Sequence, residues 1–200
     1  MSDPPITPAV KPKMSPLTRT IVIIVSLAAM TGGIFQIVRG LSGGKVDPAV
    51  EQLSKESDEA FAAANKQLEE AGPLLQSVLV SVDKDGLAPV RAQKKEAVER
   101  AAALYDQAAQ KLRLAAQKAN EAAAKKPGVK VEDFLKTKAV AYSNFATGRE
   151  LNRDVARMIL DEKVKSSEEL LPKLGAAAKL ETAGNEASAR ADKLVKDSKK

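Results

Sequence analysis

The sequence predicts an all-α protein in which one N-terminal transmembrane helix precedes a bundle of long antiparallel helices. Alanine supplies much of the apolar content, and aromatic residues make up only 3% of the chain. Alanine is the strongest helix former and a poor strand former. Apolar residues recur at steps of three and four over long stretches, which is the period of a helix. An uncharged run of 18 residues, 21–38, indicates a membrane span.

The first 19 residues contain five prolines, at positions 4, 5, 8, 12 and 16. Proline fixes its own backbone torsion and has no N–H group to donate, so this density prevents both helix and sheet. Residues 1–19 are therefore predicted to form a disordered, Pro-rich tail.

The uncharged run is bounded by Arg19 and Arg39. As a helix it would be about 27 Å long, close to the roughly 30 Å hydrocarbon core of a bilayer. A cleaved secretory signal is the alternative, with residues 21–30 as its apolar region and small residues after it. The apolar run continues past that point through residues 34–38, which favours a retained transmembrane helix at 20–39.

Residues 40–46, which include Ser42-Gly43-Gly44, are predicted to be a flexible joint before a helical domain at 47–200. Residues 1–46 hold five Lys/Arg and one acidic residue, which leaves only +2 of the net charge of +6 for the domain. This balance does not favour nucleic acid as a partner. Each side of the predicted span has three nearby Lys/Arg, and the terminal amine favours a cytoplasmic N-terminus and an extracytoplasmic domain.

Four helices are predicted in the domain. The first begins at Asp47-Pro48, an N-cap followed by a proline at the first helical position, and passes through Gly72-Pro73 without reversing. The second runs from about 89 to 125, has a mostly alanine seam, and is stopped by Lys126-Pro127-Gly128.

The third predicted helix starts near Val131 and carries Phe134, Tyr142 and Phe145, so it is expected to be the most buried. A capping box at Ser166 and Glu169 precedes the fourth, which ends near 195 and has a weak seam at 182–186. The alternatives are a three-helix bundle with a loose fourth segment, or hairpins that pair between chains as a coiled coil.

The composition excludes several kinds of chemistry. The chain has no Cys and no His, so thiolate nucleophiles, imidazole bases and Cys/His zinc sites are impossible. Asp83, Asp85 and Gly86 resemble the start of a calcium-binding loop, but Ala92 stands where the bidentate glutamate is required. Glu150, Asp154 and Arg157 fit a surface ladder within one helix. No catalytic, cofactor-binding or metal-binding residue, no cofactor and no enzyme activity are predicted.

Two functions fit this pattern. The first is a membrane-anchored interaction or structural module, which would bind a protein partner or another copy of itself through helix faces. The alternative is an extracytoplasmic, sensor-like helical bundle that binds a ligand. The short Pro-rich tail offers no signalling module, so the first hypothesis is preferred and a small-molecule ligand is not favoured.

Overall fold

The structure, a computed structural model, describes residues 33–197, which form an all-α fold without strands. Its helices are α1 (Ile34–Leu41), α2 (Pro48–Asp85), α3 (Leu87–Gln93), α4 (Lys95–Ala124), α5 (Val129–Leu160) and α6 (Leu171–Asp197). A short 3₁₀ turn, Ser167–Leu170, leads into α6.

The four long helices pack antiparallel in sequence order, with close backbone contacts between α2 and α4, α4 and α5, and α5 and α6. Ion pairs show the antiparallel order: Arg113 and Arg153 bind Glu150 and Asp106, respectively, between α4 and α5. The rings of Phe61 on α2 and Tyr142 on α5 stack with centroids 4.7 Å apart. The predicted helical bundle packing is thus confirmed.

Helix α4 packs through alanine on both sides. Its fully or almost fully buried alanines are Ala101, Ala102, Ala108, Ala109, Ala115, Ala116, Ala119, Ala122 and Ala123. The mostly alanine seam that the sequence predicts for this helix is therefore buried between its neighbours.

Several predicted helix ends are confirmed. Asp47 Oδ1 accepts a hydrogen bond from the N–H of Ala49 at 2.7 Å, and α2 continues through Pro73. Helix α4 ends at Ala124, before Gly128 at φ +102°. The capping box at Ser166 is present, although it caps the 3₁₀ turn rather than α6 itself.

The second predicted helix is wrong as a single element, because Lys94 interrupts it and separates α3 from α4. Helix α3 buries Leu87 and Val90. The Arg91 guanidinium donates to the carbonyls of Ile159, Asp161 and Val164 at 2.5–2.6 Å. These bonds hold α3 against the end of α5, a contact that the local sequence does not indicate.

The predicted transmembrane helix at 20–39 is not one continuous helix. Gly33 has an extended backbone, with φ −56° and ψ 129°, and α1 begins only at Ile34. Within residues 33–197 no helix combines the length and apolarity that crossing a membrane requires. Residues 20–32 and the predicted tail at 1–19 lie outside the described residues.

Helix α1 instead shares the core of the bundle. Ile34 and Val38 are fully buried in the same apolar cluster as Val50 of α2. The predicted joint forms a turn in which Gly44, at φ +82°, donates to the carbonyl of Arg39 at 3.0 Å. The packed unit therefore includes α1, ahead of the predicted domain boundary at residue 47.

Helix α5 is the most buried helix, as predicted, with 15 of its 32 residues buried against 12 of 30 in α4. Its aromatic residues lie in the core, where Phe145 packs directly on the backbone of α6 at Gly184. A Cβ atom added to Gly184 would overlap Cδ1 and Cε1 of Phe145. The ring therefore requires glycine at this position.

We expect Gly184→Ala to lower the free energy of unfolding by about 1–3 kcal/mol, because the added methyl group overpacks the Phe145 site. Gly175→Ala is the matched control in the same helix, since its Cβ would meet nothing within 4 Å. The control should raise stability by roughly 0.5–1 kcal/mol through helix propensity. Urea denaturation followed by circular dichroism measures both, and equal effects would contradict the packing explanation.

Candidate functional site: a buried polar layer

A layer of polar side chains divides the core into two apolar clusters. On α5, one cluster ends at Ala146 and the other begins at Val155. Arg149 and Asn152 lie between them and are 7% and 1% exposed. On α6, Glu181 occupies the same level and is 3% exposed. Such burial of charged side chains is rare, which makes the layer the principal candidate site.

The centre of the layer is an ion pair between α5 and α6. Nη2 of Arg149 lies 2.6 Å from Oε2 of Glu181. Tyr105 of α4, which is 1% exposed, is close enough for both charges to act on its hydroxyl. Three helices therefore meet at this layer.

Several polar atoms of the layer have no hydrogen-bond partner. They are Nε of Arg149, Oε1 of Glu181, and Oδ1 and Nδ2 of Asn152. An unpaired buried donor or acceptor costs about 1–3 kcal/mol. The packing of the surrounding helices must offset this cost.

Burial dominates the electrostatics of the layer. It raises the pKa of Glu181, and the charge and hydrogen bond of Arg149 only partly oppose this. Burial also raises the pKa of the Tyr105 hydroxyl to about 12. Ionised Glu181 is costly in this buried position, so the ion pair adds little net stability to the fold. It instead favours the packing arrangement in which the two charges meet.

That distinction matters because the seam of α6 consists largely of small residues. Leu174, Ala177, Gly184 and Ala191 recur at the spacing of a seam. A slip of seven residues keeps this seam facing α5 but moves Ser188 to the level of Glu181. Arg149 would then be buried without a carboxylate, so the pair favours the observed register over this slip.

A second ion pair lies nearer α1. The Lys138 ammonium, with a side chain 7% exposed, lies 3.2 Å from Asp192 Oδ1 and 5.8 Å from the centroid of the Phe134 ring. Burial raises the pKa of the hydroxyl of Tyr142, which lies one turn after Lys138 on α5. This pair also joins α5 to α6, in the same register as Arg149 and Glu181.

The predicted ladder of Glu150, Asp154 and Arg157 within one helix is wrong. Both oxygens of Glu150 accept from Arg113 of α4, at 2.7 and 2.8 Å. Asp154 binds Arg153 and, at 3.3 Å, Lys173. Antiparallel packing brings these partners together, and the spacing within α5 does not indicate them.

The sequence analysis named no site residue and missed the polar layer. Its one visible signal was the weak seam of the fourth helix, where Glu181 takes a core position and Gly184 receives the Phe145 ring. An open groove of about 590 Å³ also lies between α2 and the α3–α4 break.

No family model matches the chain, nor does any curated protein or solved structure.

We expect Arg149→Met and Glu181→Leu each to lower the free energy of unfolding by roughly 3–5 kcal/mol, because each leaves one buried charge unpaired. The double variant should recover most of this loss, since the apolar side chains fill similar volumes. A double-mutant cycle by urea denaturation measures the coupling. Additive losses would contradict a buried pair.

The same double variant should lose register specificity. The chain has no cysteine, so Asp154→Cys/Lys173→Cys reports the native register and Asp154→Cys/Leu180→Cys reports a slip of one heptad. A short bis-maleimide should cross-link the second pair only when Arg149 and Glu181 are replaced. If only the native-register cysteine pair cross-links, both with and without the substitutions at Arg149 and Glu181, the ion pair does not determine the register.

We also expect the stability of the wild type, relative to Glu181→Gln, to fall as the pH rises above the ordinary value of 4.5. Since the folded-state pKa is raised, the folded protein binds more protons than the unfolded chain in this window, and raising the pH favours unfolding. Thermal denaturation of both proteins across the acid range measures the difference. A difference that grows with pH would show the opposite shift.

Proposed function

We propose that the chain is a helical interaction or structural module that binds a protein partner, or a second copy, through its helix faces. The supporting observation is the alanine packing of α4, which fills the space between the long helices with methyl groups. An interior committed to helix contacts leaves the outer surface as the place for recognition. No catalytic activity or cofactor is proposed.

The shape of the bundle suits this role. Helix α2 has 38 residues, so it extends about 57 Å along the bundle. Large apolar side chains remain exposed singly on the long helices, among them Val80 on α2 at 48% and Val140 on α5 at 52%. The proposal assigns Val80 and Val140 as contacts for a partner helix.

Attachment to a membrane, with a single pass, is part of the proposal. The uncharged run at 21–38 and its flanking Arg19 and Arg39 support it. The N-terminus would be cytoplasmic and the bundle extracytoplasmic. Confinement to a surface raises the effective concentration of the bundle for a partner in the same membrane.

A ligand-binding bundle is the second candidate function, favoured by the unpaired atoms of Arg149, Asn152 and Glu181. Native mass spectrometry of the full chain, purified in mild detergent, separates the two hypotheses. A bound small molecule that is lost in Asn152→Leu would support the ligand hypothesis. A bound protein or second copy, retained in that variant, would support the interaction module.

We expect Val140→Lys to reduce association at least severalfold while the melting temperature stays within a few degrees, because the side chain is exposed. Thr147→Lys, at an exposed position two turns along α5, is the matched control. Sedimentation of the full chain in mild detergent, together with cross-linking in native membranes, measures association. A monomer without any cross-linked partner, for wild type and both variants, would refute the interaction proposal.

A further inference from the structure

Helix α1 is held on the bundle by the carboxylate of Asp58. Oδ1 accepts from the N–H of Ile34 at 2.6 Å, and Oδ2 accepts from the N–H of Phe35 at 2.9 Å. These are the first two amides of α1, which lack acceptors within their own helix. Ile34 and Val38 are 0% exposed, and the Lys55 ammonium lies 4.7 Å from the centroid of the Phe35 ring.

The residues buried in this way also complete the uncharged run. The whole run at 21–38 would extend about 27 Å as a helix, whereas residues 21–32 alone would extend about 18 Å. A bilayer core is about 30 Å thick, so only the longer helix approaches a full span. Ile34 and Val38 therefore cannot serve the core of the bundle and a membrane span at the same time.

We propose that α1 is a conformational switch that either docks on the bundle, capped by Asp58, or joins residues 21–33 in one membrane-spanning helix. This inference rests on the proposed membrane attachment and adds to it a change of partner for α1. The docked state holds residue 33 against α2. In the released state α1 is part of the membrane helix and no longer packs against the bundle.

The hydrogen bonds of α1 can be exchanged without loss. In a longer helix that continued past α1 toward the N-terminus, the N–H groups of Ile34 and Phe35 would donate to the carbonyls four residues earlier. Asp58 takes the place of those carbonyls in the docked state. In a bilayer no water satisfies the amides, so the continuous helix is required there.

Helix α1 also has the features of a segment that can detach. It has only eight residues, and so short a helix is marginal in water without tertiary contacts. Gly43 and Gly44 follow it at φ +62° and +82°, and a Cβ on either would meet nothing within 4 Å. Because glycine adopts a wide range of backbone angles, this turn allows α1 to move relative to α2.

The test locks α1 in the docked state with a disulfide. A Cβ atom on Gly33 would lie 3.6 Å from Cγ of Asp58, which suits a bridge in Gly33→Cys/Asp58→Cys after a small adjustment. The chain has no other cysteine. Oxidation holds α1 on the bundle, and reduction releases it without the Asp58 cap.

The full chain with this pair is mixed with phosphatidylcholine/phosphatidylglycerol vesicles, and the fraction that resists alkaline carbonate extraction is measured. We expect the reduced form to insert at least severalfold more than the oxidised form. Gly33→Cys alone is the control, and oxidation should leave its insertion unchanged.

Each remaining outcome is decisive. If both forms insert equally, the switch is refuted while membrane attachment stands. If neither form nor the wild type inserts, membrane attachment is refuted, and the switch is refuted with it.

A second variant pair tests the switch without a disulfide. Asp58→Ala should increase the inserted fraction, because the docked state loses both acceptors for the amides of α1. Glu59→Ala, which removes the exposed carboxylate of the next residue, should not change it. Equal insertion of Asp58→Ala and Glu59→Ala would overturn the proposal.

Discussion

The close approach that alanine permits between α4 and its neighbours is the constraint on which the rest of the structure depends. Nine alanines of α4, among them Ala108, Ala115 and Ala119, are buried against the neighbouring helices. The stacked rings of Phe61 and Tyr142 lie between α2 and α5. Each methyl group buries little apolar area, so the stability of the bundle depends on the length of its helices.

Alanine seams bring helices together without strongly fixing how far one is shifted along another. Specific contacts between α5 and α6 supply that information. The Arg149–Glu181 pair requires a carboxylate at one level, and the Phe145 ring requires a glycine at position 184. A slip of one heptad would place Ser188 and Ala191 at these two levels. The α6 residues of both contacts, Glu181 and Gly184, lie at or next to the weak stretch of the seam at 182–186.

The sequence predicts the features of this fold that local interactions determine. Asp47-Pro48 and the capping box at Ser166 act within one turn, so their sequence signals identify real helix starts. The break at Lys94 was missed because Arg91 binds carbonyls 68 to 73 residues away. The buried polar layer was missed for the same reason, since no periodicity shows that antiparallel packing will bring residues 149 and 181 together.

The fate of residues 34–38 was mispredicted for a different reason. Removing Ile34 and Val38 from water is favourable in a bilayer and in a protein core alike, so hydropathy does not distinguish the two. The backbone does distinguish them, because a helix in lipid must satisfy its amides internally, whereas a helix in a bundle can begin on another segment's side chain. Asp58 provides that side chain, on a helix 24 residues further along the chain. In this chain a distant carboxylate at the first free amides of the run holds it as a core helix, and Gly33 leaves room for that carboxylate, since a Cβ there would lie 2.9 Å from Asp58 Oδ2.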